Sequence, residues 1–168
     1  MNDKKIRKLV LAALLAALVC VATMVVQIPS PMQGYVNLGD CFVLLSGWIL
    51  GPWWGGAAAG IGSMLTDLLN GYAHYAPGTL VIKGVMALVA ALMYEKMGRT
   101  ATSRIAGGVV SEIIMVLGYF GYASLLLGKG LAAAASIPGN IFQGAVGLVV
   151  GVLLVTVLER AKVTEKLA

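Results

Sequence analysis

Three side chains that could carry ionic or acid–base chemistry, Asp67, His74 and Lys83, interrupt an otherwise apolar stretch of the sequence. The stretch is LTDLLNGYAHYAPGTLVIKG, residues 65–84. A charge at membrane depth is costly unless it is paired or hydrated, so such residues are rarely kept without a role. Three roles fit these residue types: an ion pair between helices, a proton relay, or contact with a polar ligand.

Two later apolar segments carry polar side chains on a single helical face. Their members are spaced by three or four residues, which is the spacing that places side chains on one side of a helix. They are Glu112, Met115, Tyr119 and Tyr122 on the first segment, and Asn140 and Gln143 on the second. Together with Lys83, they offer rings for stacking and amides for hydrogen bonds, which a site for a small polar aromatic ligand requires.

Several of these acidic and basic residues also fit structural roles. We expect Asp67 and Lys83 to neutralise each other between neighbouring helices, with Lys83 nearer to any ligand. Asp40 begins a helical segment, where a carboxylate caps free backbone N–H groups. Glu112 has no obvious basic partner on an adjacent helix, which makes it the strongest single functional candidate.

The chain lacks the motifs of common catalytic sites. It has no His/Asp/Ser constellation, no paired metal-ligand motif and no Gly-rich phosphate loop followed by Lys-Ser or Lys-Thr. His74 is the single histidine and has no cysteine or acidic partner at ligand spacing, so it is weak evidence for a metal site. We expect no enzyme, no bound metal and no cofactor.

Composition places the chain in the lipid bilayer. Hydrophobic residues make up 60% of the sequence and charged residues only 11%, far from the average of soluble proteins. A length of 168 residues supplies about six spans of roughly 20 residues and little else. The net charge of +5 does not indicate nucleic-acid binding, because lysines and arginines flank the apolar spans. We predict one all-α membrane domain over residues 1–168.

Glycines and prolines divide the chain into six apolar segments. These are residues 9–28, 41–50, 56–70, 79–94, 105–127 and 137–158. The second segment spans only about 15 Å as a helix, so it could join the third as one broken helix. With six spans, the basic N-terminus, the Lys96–Arg104 loop and the basic C-terminal tail all lie in the cytoplasm, as the positive-inside rule expects. We therefore predict six transmembrane helices with both termini cytoplasmic.

This topology makes residues 28–40, 71–78 and 128–137 external. Asp67 and Lys83 then lie about one helical turn below the outer surface. The polar faces of the later helices converge on a cavity there, and residues 28–40 form an external lid loop with Gln33, Tyr35 and Asn37.

The first helix carries two overlapping pairs of alanines, Ala12/Ala16 and Ala13/Ala17. Small residues four apart form a flat strip that another helix backbone can approach closely. The residues alone leave two partners open for the strip: a helix of this chain or a separate membrane subunit.

Four stretches, taken together, carry a family resemblance: NLGDCFVLLSGWILGPWWGG, SMLTDLLNGYAHYAPGTLVIKG, SEIIMVLGYFGYA and IPGNIFQG. They resemble the substrate-binding S components of energy-coupling factor (ECF) vitamin transporters, in the riboflavin-type branch. The resemblance implies a six-helix protein of the prokaryotic plasma membrane that captures a vitamin or precursor from outside. It further implies docking onto a membrane T subunit and two cytosolic ATPases, which use the ATP. Members resembling the pyridoxine and hydroxymethylpyrimidine transporters are nearest, and riboflavin or another B vitamin stays open.

The resemblance also gives roles to the residues. The alanine strip, Ala12, Ala13, Ala16 and Ala17, matches the family's small-residue motif for meeting the T subunit. The family's pocket of first external loop and helices four to six agrees with the depth argument. The expected substrate contacts are Asn37, Lys83, Glu112, Tyr119, Tyr122, Asn140 and Gln143, with Gln33 and Tyr35 in the lid and structural roles for Asp40 and Asp67.

A transporter that works alone is the rival interpretation. Asp67, Lys83 and Glu112 could form a proton relay. Against it, the chain shows no evident inverted repeat, and six short helices leave little room for two rocking halves unless the protein dimerises.

Overall fold

The computed structural model describes residues 3–30 and 34–163, so the predicted lid residue Gln33 lies outside the described residues. The elements in chain order are α1 Asp3–Val25, β1 Gln27–Ser30, β2 Gly34–Asn37, α2 Asp40–Leu50, α3 Pro52–Leu69, α4 Ala76–Lys96, α5 Ala101–Gly121 and α6 Ile137–Arg160. A π-helical turn at Tyr122–Leu126 continues α5, and a 3-10 helix at Gly130–Ser136 precedes α6.

The predicted class, an all-α bundle of six helices, is confirmed. Four of the described helices are long and apolar enough to cross a membrane: α1, α4, α5 with its π-helical turn, and α6 with the preceding 3-10 helix. The short α2 has 11 residues and is separated from α3 at Gly51, whose φ of 79° suits glycine, followed by Pro52 in the first turn of α3. The predicted break between the second and third segments is therefore correct.

The connection between α1 and α2 differs from the prediction. The first helix ends at Val25, three residues before the predicted end at Ile28, and the chain then forms an antiparallel β-hairpin rather than a plain loop. Ile28 pairs with Val36, and Pro29 with Tyr35. Branched and aromatic residues favour extended pairing, and proline is tolerated on an edge strand of this kind.

The short α2 occupies the middle of the bundle. Nine of its 11 residues are buried, and it packs against α1, α3, α4 and α6. Small residues allow these helices to approach closely: a Cβ atom on Gly47 would lie 2.3 Å from the Ala87 carbonyl oxygen of α4. On α3, a Cβ atom on Gly62 would lie 2.4 Å from the Ala16 carbonyl oxygen of α1. Close backbone contact of this kind favours association of membrane helices.

Arg104 holds together one end of the bundle. Its guanidinium donates hydrogen bonds to both carboxylate oxygens of Glu159 at the end of α6, at 2.6 and 3.2 Å, and to the Tyr94 hydroxyl at 2.7 Å. The same group lies 4.5 Å from the ring centre of Tyr94 and 5.7 Å from that of Trp48. The α4–α5 loop and the end of α6, both rich in basic residues, thus lie at the same end, as the six-helix topology requires.

Cysteine labelling tests the sidedness of the two ends. In a background without Cys20 and Cys41, a membrane-impermeant thiol reagent added to intact cells should label Ala73→Cys but not Met97→Cys. Both positions are exposed, and Met97 is preferred to Thr100 because the Thr100 side chain caps α5. If only Met97→Cys were labelled, the orientation of the protein in the membrane would be the opposite of the predicted one.

A pair of glycine substitutions tests the packing of α2. Gly47→Ala should lower the thermal unfolding temperature in detergent, because overpacking typically costs about 1–3 kcal/mol. Gly121→Ala is the matched control, since a Cβ atom there meets nothing within 4 Å and alanine favours a helix. Equal melting temperatures for the two variants would mean that α2 and α4 are not in close contact.

Candidate functional site

A polar cavity lies at the end of the bundle opposite Arg104, between the β-hairpin and the ends of α3, α4, α5 and α6. It has a volume of about 600 Å³ counting its open mouth. Every lining side chain can form hydrogen bonds, and the lining residues are Thr23, Ser30, Tyr35, Asn37, Ser63, Asp67, Tyr75, Thr79, Lys83, Tyr119, Ser136, Asn140 and Gln143. Such a concentration of polar groups in so apolar a chain is typical of ligand sites in membrane proteins.

A hydrogen-bonded ion pair forms one side of this cavity. The ammonium group of Lys83 pairs with the Asp40 carboxylate, and both side chains are buried. Gln143 Nε2 donates to the second Asp40 oxygen at 2.7 Å. Gln143 Oε1 accepts from the backbone N–H of Asn37 at 2.9 Å and from its side-chain amide at 3.2 Å. The network therefore joins the hairpin to α2, α4 and α6.

The ion pair corrects two predictions. Lys83 pairs with Asp40 and not with Asp67. Asp40 does not cap α2 with its side chain, because the N-cap residue is Gly39 and no side-chain capping hydrogen bond forms there. Asp40 starts a helix in the centre of the bundle and faces α4, and a glycine on α6 makes room for it: a Cβ atom on Gly147 would lie 2.6 Å from the Asp40 Cβ.

Asp67 instead bonds to the hairpin. The Tyr35 hydroxyl donates to Asp67 Oδ1 at 2.5 Å, while Oδ2 is buried without a hydrogen-bond partner among the described residues. Burial and the negative charge of Asp67 raise the pKa of the Tyr35 hydroxyl above its ordinary value, so Tyr35 remains a proton donor at neutral pH. The hairpin is thus tied to α3 as well as to α6.

Aromatic side chains form another part of the cavity wall. The Tyr119 hydroxyl donates to Thr79 Oγ1 at 3.0 Å, and Lys83 Nζ lies 5.5 Å from the Tyr119 ring centre. The ring of Tyr75 is 6.3 Å from that of Tyr119. These rings provide apolar faces beside polar groups, an arrangement suited to stacking of a flat ligand.

Five of the seven predicted substrate contacts line the cavity: Asn37, Lys83, Tyr119, Asn140 and Gln143. Tyr35 of the predicted lid lines it as well.

The structure places the other two, Glu112 and Tyr122, outside the cavity. Tyr122 donates to the His74 carbonyl oxygen at 2.9 Å and covers Gly78, so it anchors the α3–α4 connection. Glu112 is buried beside Gly144 and faces an apolar groove between α5 and α6. Glu112 and Tyr122 share a helical face with Tyr119, but this was not enough to place them in the cavity. At the depth of Glu112, α5 packs against α6.

Several lining residues were missed or given another role, notably Ser63, Asp67 and Thr79. A signal for them exists in the sequence: Ser63 and Asp67, like Thr79 and Lys83, are four residues apart and share a helical face near one external turn. Thr23, Ser30, Tyr75 and Ser136 give no comparable signal, since they lie near breaks between elements.

The alanine strip divides into two faces. Ala12 is buried and Ala16 packs against Gly62 of α3, so this half of the strip is used within the chain. Ala13 and Ala17 are exposed. Only the second half is free to meet another subunit.

Among residues 3–30 and 34–163, no group of three or more His, Cys, Asp or Glu side chains is placed to hold a metal ion. The lining side chains offer hydrogen bonds, aromatic ring faces and the charges of Asp67 and Lys83.

Comparison with known proteins gives a consistent family. Residues 3–160 match the family model of the ECF-type riboflavin transporter, S component. An uncharacterized protein in gap 3′region of Pyrococcus woesei is 42% identical over 135 residues, which cover 79% of this chain and 88% of the relative. The thiamine precursor transporter HmpT of Lactococcus lactis subsp. cremoris (strain MG1363) is 29% identical over 162 residues, covering 95% and 92% of the two chains.

A solved structure agrees in fold. It is described as the structure and mechanism of the S component of a bacterial ECF transporter, and it matches with a TM-score of 0.75 at 23% identity, covering 93% of this chain and 97% of that chain. The apolar helices and these matches make the protein a multi-pass membrane protein. The chain belongs to the family of ECF-type riboflavin transporter S components, which are transport subunits and not enzymes.

Proposed function

We propose that the polar cavity captures a small water-soluble heteroaromatic vitamin or precursor, such as pyridoxine or hydroxymethylpyrimidine, from outside the cell membrane. The observation that carries this proposal is that the cavity wall contains buried polar atoms without hydrogen-bond partners. Three of its polar atoms, Ser30 Oγ, Ser63 Oγ and Asp67 Oδ2, are buried without a hydrogen-bond partner among the described residues. A buried unpaired polar group costs about 1–3 kcal/mol, which a polar ligand recovers by bonding to it.

The kinds of side chain support a flat, neutral or cationic ligand. Tyrosine rings supply stacking surface, and the amides of Asn140 and Gln143 supply both donors and acceptors. The relative described as a thiamine precursor transporter supports a vitamin precursor as the substrate. Riboflavin, after which the family is described, is the alternative substrate.

The exposed half of the alanine strip supports docking onto a T subunit. Ala13 and Ala17 lie on an outer face of α1 together with the exposed side chains of Leu9, Val10 and Val21. Small residues there let a partner helix approach closely. In this proposal two cytosolic ATPases, bound through the T subunit, supply the energy for import.

A proton-coupled transporter that works alone is the weaker alternative. Its relay would need Lys83 to exchange protons with Asp67 or Glu112, but Lys83 is paired with Asp40. Uptake by cells in which the proton gradient is dissipated and ATP is retained separates the two. Persistent uptake supports the ATP-driven proposal, and its loss supports the alternative.

Substitution of Asn140 tests the binding site. Asn140→Ala should raise the dissociation constant of the vitamin that binds the wild type by roughly 5- to 150-fold, because it removes one buried hydrogen-bonding partner. Phe142→Ala is the matched control on the same helix, since Phe142 is exposed outside the cavity. Isothermal titration calorimetry in detergent is the suitable measurement, because none of Trp48, Trp53 and Trp54 lines the cavity. If Asn140→Ala bound the vitamin with wild-type affinity, the ligand site would not be this cavity.

Bulky residues on α1 test docking. Ala13→Trp with Ala17→Trp should abolish uptake by cells while purified protein still binds its ligand, because the added rings separate helix backbones without reaching the cavity. Leu18→Trp is the matched control: Leu18 is also exposed but lies about 100° around α1 from Ala17. Loss of binding together with uptake, or equal loss in the control, would contradict docking through this face.

A further inference from the structure

We propose that Asp67 selects the ligand, and that its Oδ2 accepts a hydrogen bond from an amino group attached next to a ring nitrogen. The ligand class is then an aminopyrimidine or a similar heteroaromatic base. This inference rests on the proposed function and narrows it. Of the three candidate ligands, hydroxymethylpyrimidine carries such an edge, whereas pyridoxine and riboflavin do not.

The geometry of Asp67 supports an acceptor with one free position. The side chain lines the cavity and is only 3% exposed. Tyr35 holds Oδ1 through a 2.5 Å hydrogen bond and so orients the carboxylate. The Thr79 hydroxyl, which accepts from Tyr119, lies beside the same carboxylate and stabilises it, but Oδ2 has no partner at hydrogen-bond distance among the described residues. An acceptor-only group that is buried and oriented in this way discriminates strongly in favour of a ligand with an N–H at that point.

The charges around the cavity support a ligand that donates protons rather than an anion. The ammonium of Lys83 forms an ion pair with the Asp40 carboxylate. Lys83 and His74 act on Asp67 electrostatically, but neither forms an ion pair with it within the described part of the chain. Among the lining residues, Asp67 is therefore the carboxylate without an ion pair, which favours an amino group over a phosphate or carboxylate at this point of the wall. The nearby ammonium of Lys129 is bonded to the hydroxyl of the lining residue Tyr75, at 3.1 Å.

Ser63 supplies the matching donor. It lies four residues before Asp67 on α3, hence on the same face, and its hydroxyl is also buried without a partner among the described residues. A serine hydroxyl can donate to the ring nitrogen while the carboxylate accepts from the adjacent amino group. The pair Ser63 and Asp67 thus presents one donor and one acceptor, the complement of the aminopyrimidine edge.

Two compounds that differ only in the amino group test the inference. They are 4-amino-5-hydroxymethyl-2-methylpyrimidine and the same pyrimidine with hydrogen in place of the amino group, titrated calorimetrically into wild type and Asp67→Asn. Wild type should prefer the amino compound by about 10- to 100-fold, as expected for one hydrogen bond to a charged group. Asp67→Asn should reduce this preference to about threefold or less.

Asn140→Ala is the control for general damage to the cavity. It should weaken binding of both compounds and keep their ratio, because Asn140 lies on α6 and is not assigned to the amino group. If Asp67→Asn does not fold, Tyr35→Phe tests the same carboxylate: it removes the hydrogen bond that orients Asp67, so the preference for the amino compound should fall. Ser63→Ala removes the donor to the ring nitrogen, which both compounds carry, and should weaken both while keeping their ratio. Equal binding of both compounds by the wild type, or an unchanged ratio in Asp67→Asn, would overturn the inference.

The outcomes separate this inference from the proposed function. Binding of pyridoxine or riboflavin without binding of either pyrimidine would leave the cavity as the vitamin site and refute the role given to Asp67. Binding of none of these compounds would refute both.

Discussion

The buried ion pair between Asp40 and Lys83 is the interaction on which the arrangement of the bundle depends. An unpaired ammonium or carboxylate inside a membrane helix bundle is costly, and each of these groups removes the cost of the other. The pair fixes the start of the short α2 against α4. Gln143 then bonds to Asp40 and to Asn37, so that α6 and the hairpin are positioned by the same charges.

The ion pair also bears on the charges of the cavity. The ammonium of Lys83 already has the Asp40 carboxylate as its counter-ion, whereas Asp67 has only one oxygen hydrogen-bonded among the described residues. Tyr35 links this carboxylate to the hairpin. In the proposed site, a ligand that bonds to Asp67 lies next to the hairpin residue that orients this carboxylate.

The sequence predicts well those features that depend on one segment at a time. Hydrophobic runs and the Gly51-Pro52 break identify six helices, and helical spacing brings Asn140 and Gln143 to the cavity. It predicts less well which helices face one another. The predicted partner of Lys83, Asp67, was wrong. The central position of α2, which carries the true partner, depends on close contacts such as that of Gly47 with Ala87, and the periodicity of the sequence does not encode such contacts. The hairpin was missed because strands of four residues give too short a pattern.

The most direct test of the central ion pair is a double-mutant cycle of thermal unfolding in detergent with Asp40→Asn and Lys83→Met. Each single variant should be strongly destabilised, by about 3–5 kcal/mol, because it leaves one buried charge without its partner. The double variant should recover much of the lost stability, since both charges are removed together. Additive losses, with the double variant the least stable of the three, would contradict the account.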